Sequence, residues 1–242
     1  MGGCILLAGA TGAIGRPLAR LLVASGWRVV GTTRSPEKIP MLREMGVEPA
    51  VIDVFDAATL RDVVAAAQPE IVIHQLTDLP PALASDKMAD ALVRNARLRD
   101  EGTRNLVSAA IHAGAKRMIA QSIAFIYAEG PLPHREADPL IPETDPAWGG
   151  TVRGVVSLEQ QVLQAPLDGI VMRYGFLYGP GTGFDAAKNP GSVHVDAAAK
   201  AAELAVNGVP AGIYNIAEPD GVVASDKATR TFAWDASWRA GT

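Results

Sequence analysis

The feature of this sequence that most constrains its fold is the regular alternation of short apolar runs with longer amphipathic stretches. Each amphipathic stretch has apolar residues at helical spacing and ends near glycine or proline, and the apolar run after it is typical of a strand buried on both faces. The predicted strands are 4–8, 28–32, 47–52, 71–73, 117–120, 170–172 and 213–216, and the predicted helices are 17–24, 37–45, 57–67, 85–113, 155–163 and 195–206. This alternation predicts an α/β protein with a doubly wound, mostly parallel sheet.

Composition agrees with a single domain over residues 1–242. Hydrophobic residues make up 48% and charged residues 20% of the 242, which is enough apolar material for a large buried sheet. The net charge of −4 argues against a nucleic-acid partner. We predict no membrane span, no signal peptide and hence a cytoplasmic protein. The histidines have no ligand spacing and Cys4 is the single cysteine, so no metal site is expected.

A glycine-rich loop, Gly9-Ala10-Thr11-Gly12-Ala13-Ile14-Gly15, joins the first predicted strand to the first predicted helix. Gly9 permits a tight turn, Gly12 lets the backbone approach a pyrophosphate, and Gly15 lets helix and strand pack closely. The helix N-terminus adds free N–H groups and a favourable dipole. The sequence therefore predicts a Rossmann fold whose dinucleotide-binding core covers residues 1–125.

The end of the second predicted strand indicates which dinucleotide is preferred. An NAD-specific site usually has an acidic residue there, bonded to the ribose 2′-hydroxyl. This chain has Gly31-Thr32-Thr33-Arg34-Ser35 instead, and the guanidinium of Arg34 suits a 2′-phosphate. Arg16 is a candidate for a second positive charge. We therefore predict NADP as the cofactor, with NAD as the alternative.

Later segments carry the motifs of one enzyme family. These are Asp53-Val54 after the third strand, Ile73–Thr77 in the fourth, Arg99 with Glu101–Leu106 in the long helix, Ala120-Gln121-Ser122 through Tyr127, and Arg173–Thr182. Together with the glycine loop they resemble the extended short-chain dehydrogenase/reductase family, the NAD-dependent epimerase/dehydratase group, over nearly the whole chain. The resemblance implies a cofactor site formed by Gly9, Thr11, Gly12, Ala13, Ile14, Gly15, Arg16, Arg34, Asp53, Val54, Leu76, Thr77, Arg99, Gln121 and Tyr174.

The sequence departs from this family at the catalytic positions. The family uses a tyrosine and a lysine four residues later, and the lysine lowers the pKa of the tyrosine. Counted from Glu159, those positions hold Thr151 and Val155. Ser122 falls one residue before the family's catalytic Ser/Thr. The best remaining proton donor is Tyr127, with Ser122 as its hydrogen-bond partner near the nicotinamide.

Two functions remain open. The first is an NAD(P)-dependent oxidoreductase or epimerase-like enzyme with a non-standard active site, acting on a small carbonyl, hydroxyl or sugar-type substrate. The second is a catalytically inactive NADP(H)-binding sensor that retains the cofactor site. Only a dozen residues lie between Gly181 and His194, where the family usually has a substrate-binding segment. Residues 126–242 are therefore expected to form a reduced substrate-binding region, with a pocket formed by 129–150 and 183–191. The family's helix pairing further implies a homodimer, formed by the long helix and helix 155–163.

Overall fold

The computed structural model describes residues 2–80 and 83–241, so the two ends of the predicted domain, Met1 and Thr242, lie outside the described residues. The strands of the described residues are β1 Cys4–Ala8, β2 Arg28–Thr33, β3 Glu48–Val51, β4 Ile71–His74, β5 Arg117–Ile123, β6 Asp168–Tyr174, β7 Phe176–Tyr178, β8 Ser192–His194 and β9 Gly212–Ile216. Seven of them form one sheet in the order β3-β2-β1-β4-β5-β6-β9, and every neighbouring pair is parallel. Strands β7 and β8 form a separate parallel ribbon. The predicted doubly wound Rossmann fold is confirmed.

Helices cover both faces of this sheet. They are α1 Gly15–Ala24, α2 Ile39–Glu44, α3 Ala57–Ala67, α4 Met88–Arg97, α5 Thr103–His112, α6 Gly149–Gln164, α7 Val195–Ala205 and α8 Asp226–Phe232. Within β1, Ile5 and Leu7 belong to the apolar cluster with α1 and α7, and Leu6 and Ala8 belong to the cluster with α3 and α5. Because successive strand residues face opposite sides, an all-apolar strand is what a sheet covered on both faces requires. In the described part of the chain, no helix is long and apolar enough to cross a membrane.

The long helix predicted over residues 85–113 is interrupted. A 3₁₀ turn at Ser85–Lys87 precedes α4, and a π-helical turn at Leu98–Gly102 separates α4 from α5. The interruption has a packing reason, since α4 packs mainly against α6 whereas α5 packs mainly against α3. A wider turn lets the two halves face different neighbours, and such turns are frequent at functional sites.

Several other elements are longer than predicted, and the extensions of α6 and β5 reach the site. Helix α6 begins at Gly149 instead of residue 155, because tertiary packing overrides the low helix propensity of Gly149, Gly150 and Gly154. Strand β5 continues to Ile123 instead of ending at residue 120, through pairing with β6. The predicted irregular segment 129–150 therefore ends two residues early, and Thr151 belongs to the first turn of α6.

Candidate functional site

A cavity of about 700 Å³ opens at the carboxyl ends of β1, β2, β4, β5 and β6, where ligands bind in sheets of this kind. The structure brings together in its wall every predicted cofactor residue except Gly15, namely Gly9, Thr11, Gly12, Ala13, Ile14, Arg16, Arg34, Asp53, Val54, Leu76, Thr77, Arg99, Gln121 and Tyr174. Gly15 instead packs against the carbonyl oxygen of Gly9, where a Cβ would clash. That close approach is the role the glycine spacing predicts for it.

The glycine loop forms the part of this wall beside the N-terminus of α1. Gly9 has a φ of 87°, and the Gly12 N–H donates to the Gly9 carbonyl over 3.0 Å to close the turn. The N-terminus of α1 follows this loop directly, and no side chain of the described residues caps it. Uncapped N–H groups and the positive end of the helix dipole favour an anion at this point. The residues present therefore fit a dinucleotide pyrophosphate.

Beyond the end of β2, two cations lie in the cavity wall. Arg34 is half exposed and its Nη2 lies 3.4 Å from Asp78 Oδ1, an exposed ion pair that a stronger anion can displace. The second cation is Lys38, which sequence reasoning missed although it stands only four residues after Arg34. Arg16 was the predicted second charge. Its Nε donates to the Gly12 carbonyl over 3.4 Å, and its guanidinium lies against the backbone of Gly181.

The opposite end of the cavity has an aromatic wall made of Phe125, Trp148, Phe176 and Phe184. Phe125 and Phe176 stack with ring centroids 4.1 Å apart and an interplanar angle of 12°. Trp148 meets Phe125 edge-on at 6.4 Å. These four residues were not among the predicted site residues, although Phe125 and Phe176 lie within two of the family motifs, because only the fold brings them together from separate segments. A wall of this kind suits a flat apolar or aromatic group.

The two predicted catalytic residues do not line this cavity. Ser122 alternates along β5 with Gln121 and Ile123, which do line it, so Ser122 faces the other side of the sheet and donates to Glu159 Oε1 over 2.6 Å. The Tyr127 hydroxyl donates to Asn215 Oδ1 over 2.7 Å. Burial raises the pKa of Tyr127, which disfavours its ionised form. Their catalytic roles stay predictions.

Both residues belong to one buried polar network centred on Arg173. The guanidinium of Arg173 donates to both carboxylate oxygens of Glu159 over 2.8 and 2.6 Å and to the Tyr127 hydroxyl over 2.9 Å. Arg173 and Glu159 are only 3% and 5% exposed. Each of these buried charges therefore has the oppositely charged, hydrogen-bonded partner that burial of a charge requires. The network joins β5, β6 and α6 behind the cavity.

Two neutral polar side chains line the cavity between its two ends. Gln75 Nε2 lies 3.5 Å from the Tyr174 hydroxyl, and burial raises the pKa of Tyr174 strongly, so this hydroxyl keeps its proton at neutral pH. Gln75 Oε1 is buried and has no hydrogen-bond partner among the described residues. A buried carbonyl oxygen without a donor is unfavourable, and a bound ligand would supply one.

No group of three or more metal-ligating side chains comes together in residues 2–80 and 83–241. The ionisable groups of the cavity wall are instead Arg16, Arg34, Lys38, Asp53, Asp78, Arg99 and Tyr174. The two carboxylates lie toward the Arg34 end, since Asp78 pairs with Arg34 and Asp53 follows β3, the neighbour of β2.

Comparison with known proteins agrees with this geometry. The model of the NAD(P)H-binding family matches residues 9–202, which is well over half of the chain. The chain belongs to the NAD(P)H-binding family. Its fold is also that of epimerase/dehydratase structures: the UDP-glucose 4-epimerase of Thermotoga maritima matches with a TM-score of 0.79 over 98% of this chain and 94% of that chain, at 18% identity.

Two curated relatives of this NAD(P)H-binding chain are named as reductases. The 3-diazoavenalumate denitrifying reductase of a Streptomyces species is 46% identical over 182 residues, which are 74% of this chain and 58% of that protein. The 4-hydroxy-2-methyl-3-oxo-4-farnesyl-3,4-dihydroquinoline-1-oxide ketoreductase of Stigmatella aurantiaca is 29% identical over 174 residues, 71% of this chain and 49% of that protein. The chain thus spans about half the length of the curated relatives it matches.

Proposed function

We propose that this chain is an NADPH-dependent reductase that acts on an aromatic diazo compound, an electrophile whose reduction needs no proton from the protein. The observation that carries the proposal is the composition of the cavity wall. Beside the aromatic wall stand Thr151 and the hydroxyl of Tyr174, whose pKa burial raises, and no histidine or glutamate lines the cavity among the described residues. Thr151 and Val155 occupy the positions that the family resemblance assigns to the tyrosine and the lysine.

Chemistry decides which acceptors such a site can serve. A ketone that accepts a hydride becomes an alkoxide, which needs an acid to protonate it. A reduced nicotinamide supplies a hydride, and an arenediazonium that accepts it needs no proton, since Ar–N₂⁺ + H⁻ gives Ar–H + N₂ with atoms and charge balanced. The new C–H bond replaces the C–N bond, and dinitrogen leaves with the electron pair of the broken bond. A site without a proton relay is therefore sufficient for this reaction.

The residues of the chain would orient the reactants and exclude water. The aromatic wall of Phe125, Trp148, Phe176 and Phe184 offers flat faces, and the faces of aromatic rings attract a cationic group. The more similar curated relative is named for a diazo compound and for a denitrifying reduction, which supports the same substrate class here. The other is named a ketoreductase, so a ketone is the acceptor to test against it.

NADPH is favoured over NADH by the charges near the end of β2. Arg34 and Lys38 both line the cavity there, and a 2′-phosphate would replace the exposed contact between Arg34 and Asp78. Two cations with a partly desolvated phosphate give charge-assisted hydrogen bonds stronger than neutral ones.

The test follows the transferred hydrogen. Purified protein is mixed with 3-diazoavenalumate and NADPH carrying deuterium at C4 of the nicotinamide, and absorbance at the NADPH band, gas release and deuterium in the arene are measured. We expect deuterium on the ring carbon that lost nitrogen, at a rate well above that without protein. The matched control is Gly12→Val, because a side chain at Gly12 meets only the Gly9 carbonyl at 3.3 Å and would otherwise enter the phosphate-binding part of the cavity.

Two outcomes would overturn the proposal. Equal rates for the wild type and Gly12→Val would assign any reduction to free NADPH. Tight NADPH binding without turnover of either the diazo compound or a panel of ketones would support the sensor hypothesis instead.

A further inference from the structure

Arg99 carries a largely buried charge that no described residue contacts through a hydrogen bond or an ion pair. It lies in the π-helical turn Leu98–Gly102, lines the cavity and is 7% exposed. Within residues 2–80 and 83–241, its guanidinium has neither a hydrogen bond nor an ion-pair partner. Burying an ionised group without a partner is strongly unfavourable, so proteins rarely keep one without a ligand that pairs with it.

The titratable groups that interact electrostatically with Arg99 do not form an ion pair with it. Glu159 attracts Arg99 electrostatically, but its two oxygens already accept bonds from Arg173 and Ser122. His74 is neutral at physiological pH, because burial and the charge of Arg99 lower its pKa to about 4. Arg99 itself stays charged, since burial lowers its pKa only to about 10.

The family resemblance places Arg99 in the cofactor site, but the phosphates of the cofactor have other partners there. The glycine loop and the N-terminus of α1 would bind the pyrophosphate, and Arg34 and Lys38 would bind a 2′-phosphate. Arg99 instead lies in the turn between α4 and α5, and the titratable groups that interact with it, His74 and Glu159, belong to β4 and α6 and not to β2.

We propose that Arg99 binds the carboxylate of the substrate, so that the cavity accepts planar aromatic carboxylates, with the ring against the aromatic wall and the anion on the guanidinium. The inference rests on the proposed function for the placement of cofactor and substrate. A second unpartnered group supports it, since Gln75 Oε1 is buried in the same cavity and would accept a hydrogen bond from the ligand. A planar guanidinium binds a carboxylate through two parallel hydrogen bonds, which fixes orientation as well as charge.

The experiment uses a stable probe pair and does not depend on turnover. Cinnamate and its neutral isostere cinnamamide are titrated calorimetrically into the NADPH complex of the wild type, Arg99→Lys and Arg99→Met. We expect cinnamate to bind the wild type at least tenfold more tightly than cinnamamide. The preference for cinnamate should shrink in Arg99→Lys, which keeps the charge but loses the planar pair of donors, and should vanish in Arg99→Met.

Thermal unfolding of the same variants separates a binding role from a structural one. An unpaired buried charge destabilises the free protein, so Arg99→Met should raise Tm by roughly 2–4 °C, whereas loss of a structural arginine would lower it. Equal binding of the two probes to the wild type, or binding of neither, would overturn the inference. So would a large loss of NADPH affinity in Arg99→Met. Cinnamate selectivity without diazo reduction would instead contradict the proposed function alone.

Discussion

Replacing Tyr127 by phenylalanine separates two roles for this side chain, a proton donor and a structural member of the buried network. The substitution removes the hydroxyl that donates to Asn215 over 2.7 Å and accepts from Arg173 over 2.9 Å. Asn215 is fully buried, so its Oδ1 would be left without this donor. Arg173 keeps its bonds to Glu159.

The expected loss of stability follows from these contacts. A buried hydrogen bond to a charged group contributes about 1.5–3 kcal/mol and an orphaned buried acceptor costs about 1–3 kcal/mol, so we expect a net loss of roughly 2–4 kcal/mol. For a chain of this length each kcal/mol lowers Tm by about 2–4 °C, which gives a drop of roughly 4–16 °C. Hydride transfer should change less than about threefold, because Tyr127 does not line the cavity.

The assay combines thermal unfolding with single-turnover oxidation of NADPH. Tyr214→Phe is the matched control, since Tyr214 is 2% exposed and its hydroxyl bonds neutral groups, donating to the Pro210 carbonyl over 2.9 Å and interacting with the Thr231 side chain. We expect it to lose about 1 kcal/mol. An unchanged Tm for Tyr127→Phe together with a fall in rate of about 100-fold or more, the usual contribution of a general acid, would refute the structural role and establish the proton donor.

Three further predictions concern the cofactor, pH and assembly. Arg34→Ala should weaken NADPH binding by about 10- to 100-fold and leave NADH binding unchanged, measured by fluorescence titration, with Lys38→Ala giving a smaller effect of the same sign; equal losses for both dinucleotides would contradict the 2′-phosphate assignment. Burial holds the pKa of His74 near 4 against 6.5 in an unfolded chain, so the unfolded state binds more protons between these values. The free energy of unfolding should therefore fall by up to roughly 3 kcal/mol as pH drops from 6.5 to 4. A proton on Nδ1 of His74 would prevent it from accepting the hydrogen bond of the Leu76 N–H. Urea unfolding at a series of pH values should show that the stability of His74→Gln depends less steeply on pH than that of the wild type. If the predicted homodimer forms through α4 and α6, Val93→Glu on the exposed face of α4 should shift the mass measured by light scattering to that of a monomer, and a wild type that is already monomeric would contradict the pairing.

The dinucleotide half of the site could be predicted from the sequence because its determinants are local. The loop from Gly9 to Gly15 needs only a strand before it and a helix after it, and both are visible as apolar periodicity. Arg34, Asp53 and Thr77 lie one, two and three residues after the ends of β2, β3 and β4, and in a parallel sheet those ends share one edge. Chain order alone therefore places them in one cavity.

The substrate half could not be predicted, because it depends on which side a residue faces and on what lies opposite. Strand β5 extends three residues further than its apolar run, and this pairing turns Ser122 away from the cavity and Ile123 toward it. The aromatic wall brings Phe125, Trp148 and Phe176 together from segments with no common pattern.

The sequence by itself determined the order of strands and helices, the glycine loop and the charge after β2, since each depends on neighbours within a few residues. Only the tertiary structure decided that Tyr127 belongs to a buried network and that Arg99 has no ion-pair partner among the described residues. Both depend on distances between elements that are far apart in the chain. Asn215 and Arg173 reach Tyr127 from β9 and β6, and the oxygens of Glu159 accept hydrogen bonds from other residues and not from Arg99. Hydrogen bonds and ion pairs of this range leave no periodic trace in a sequence.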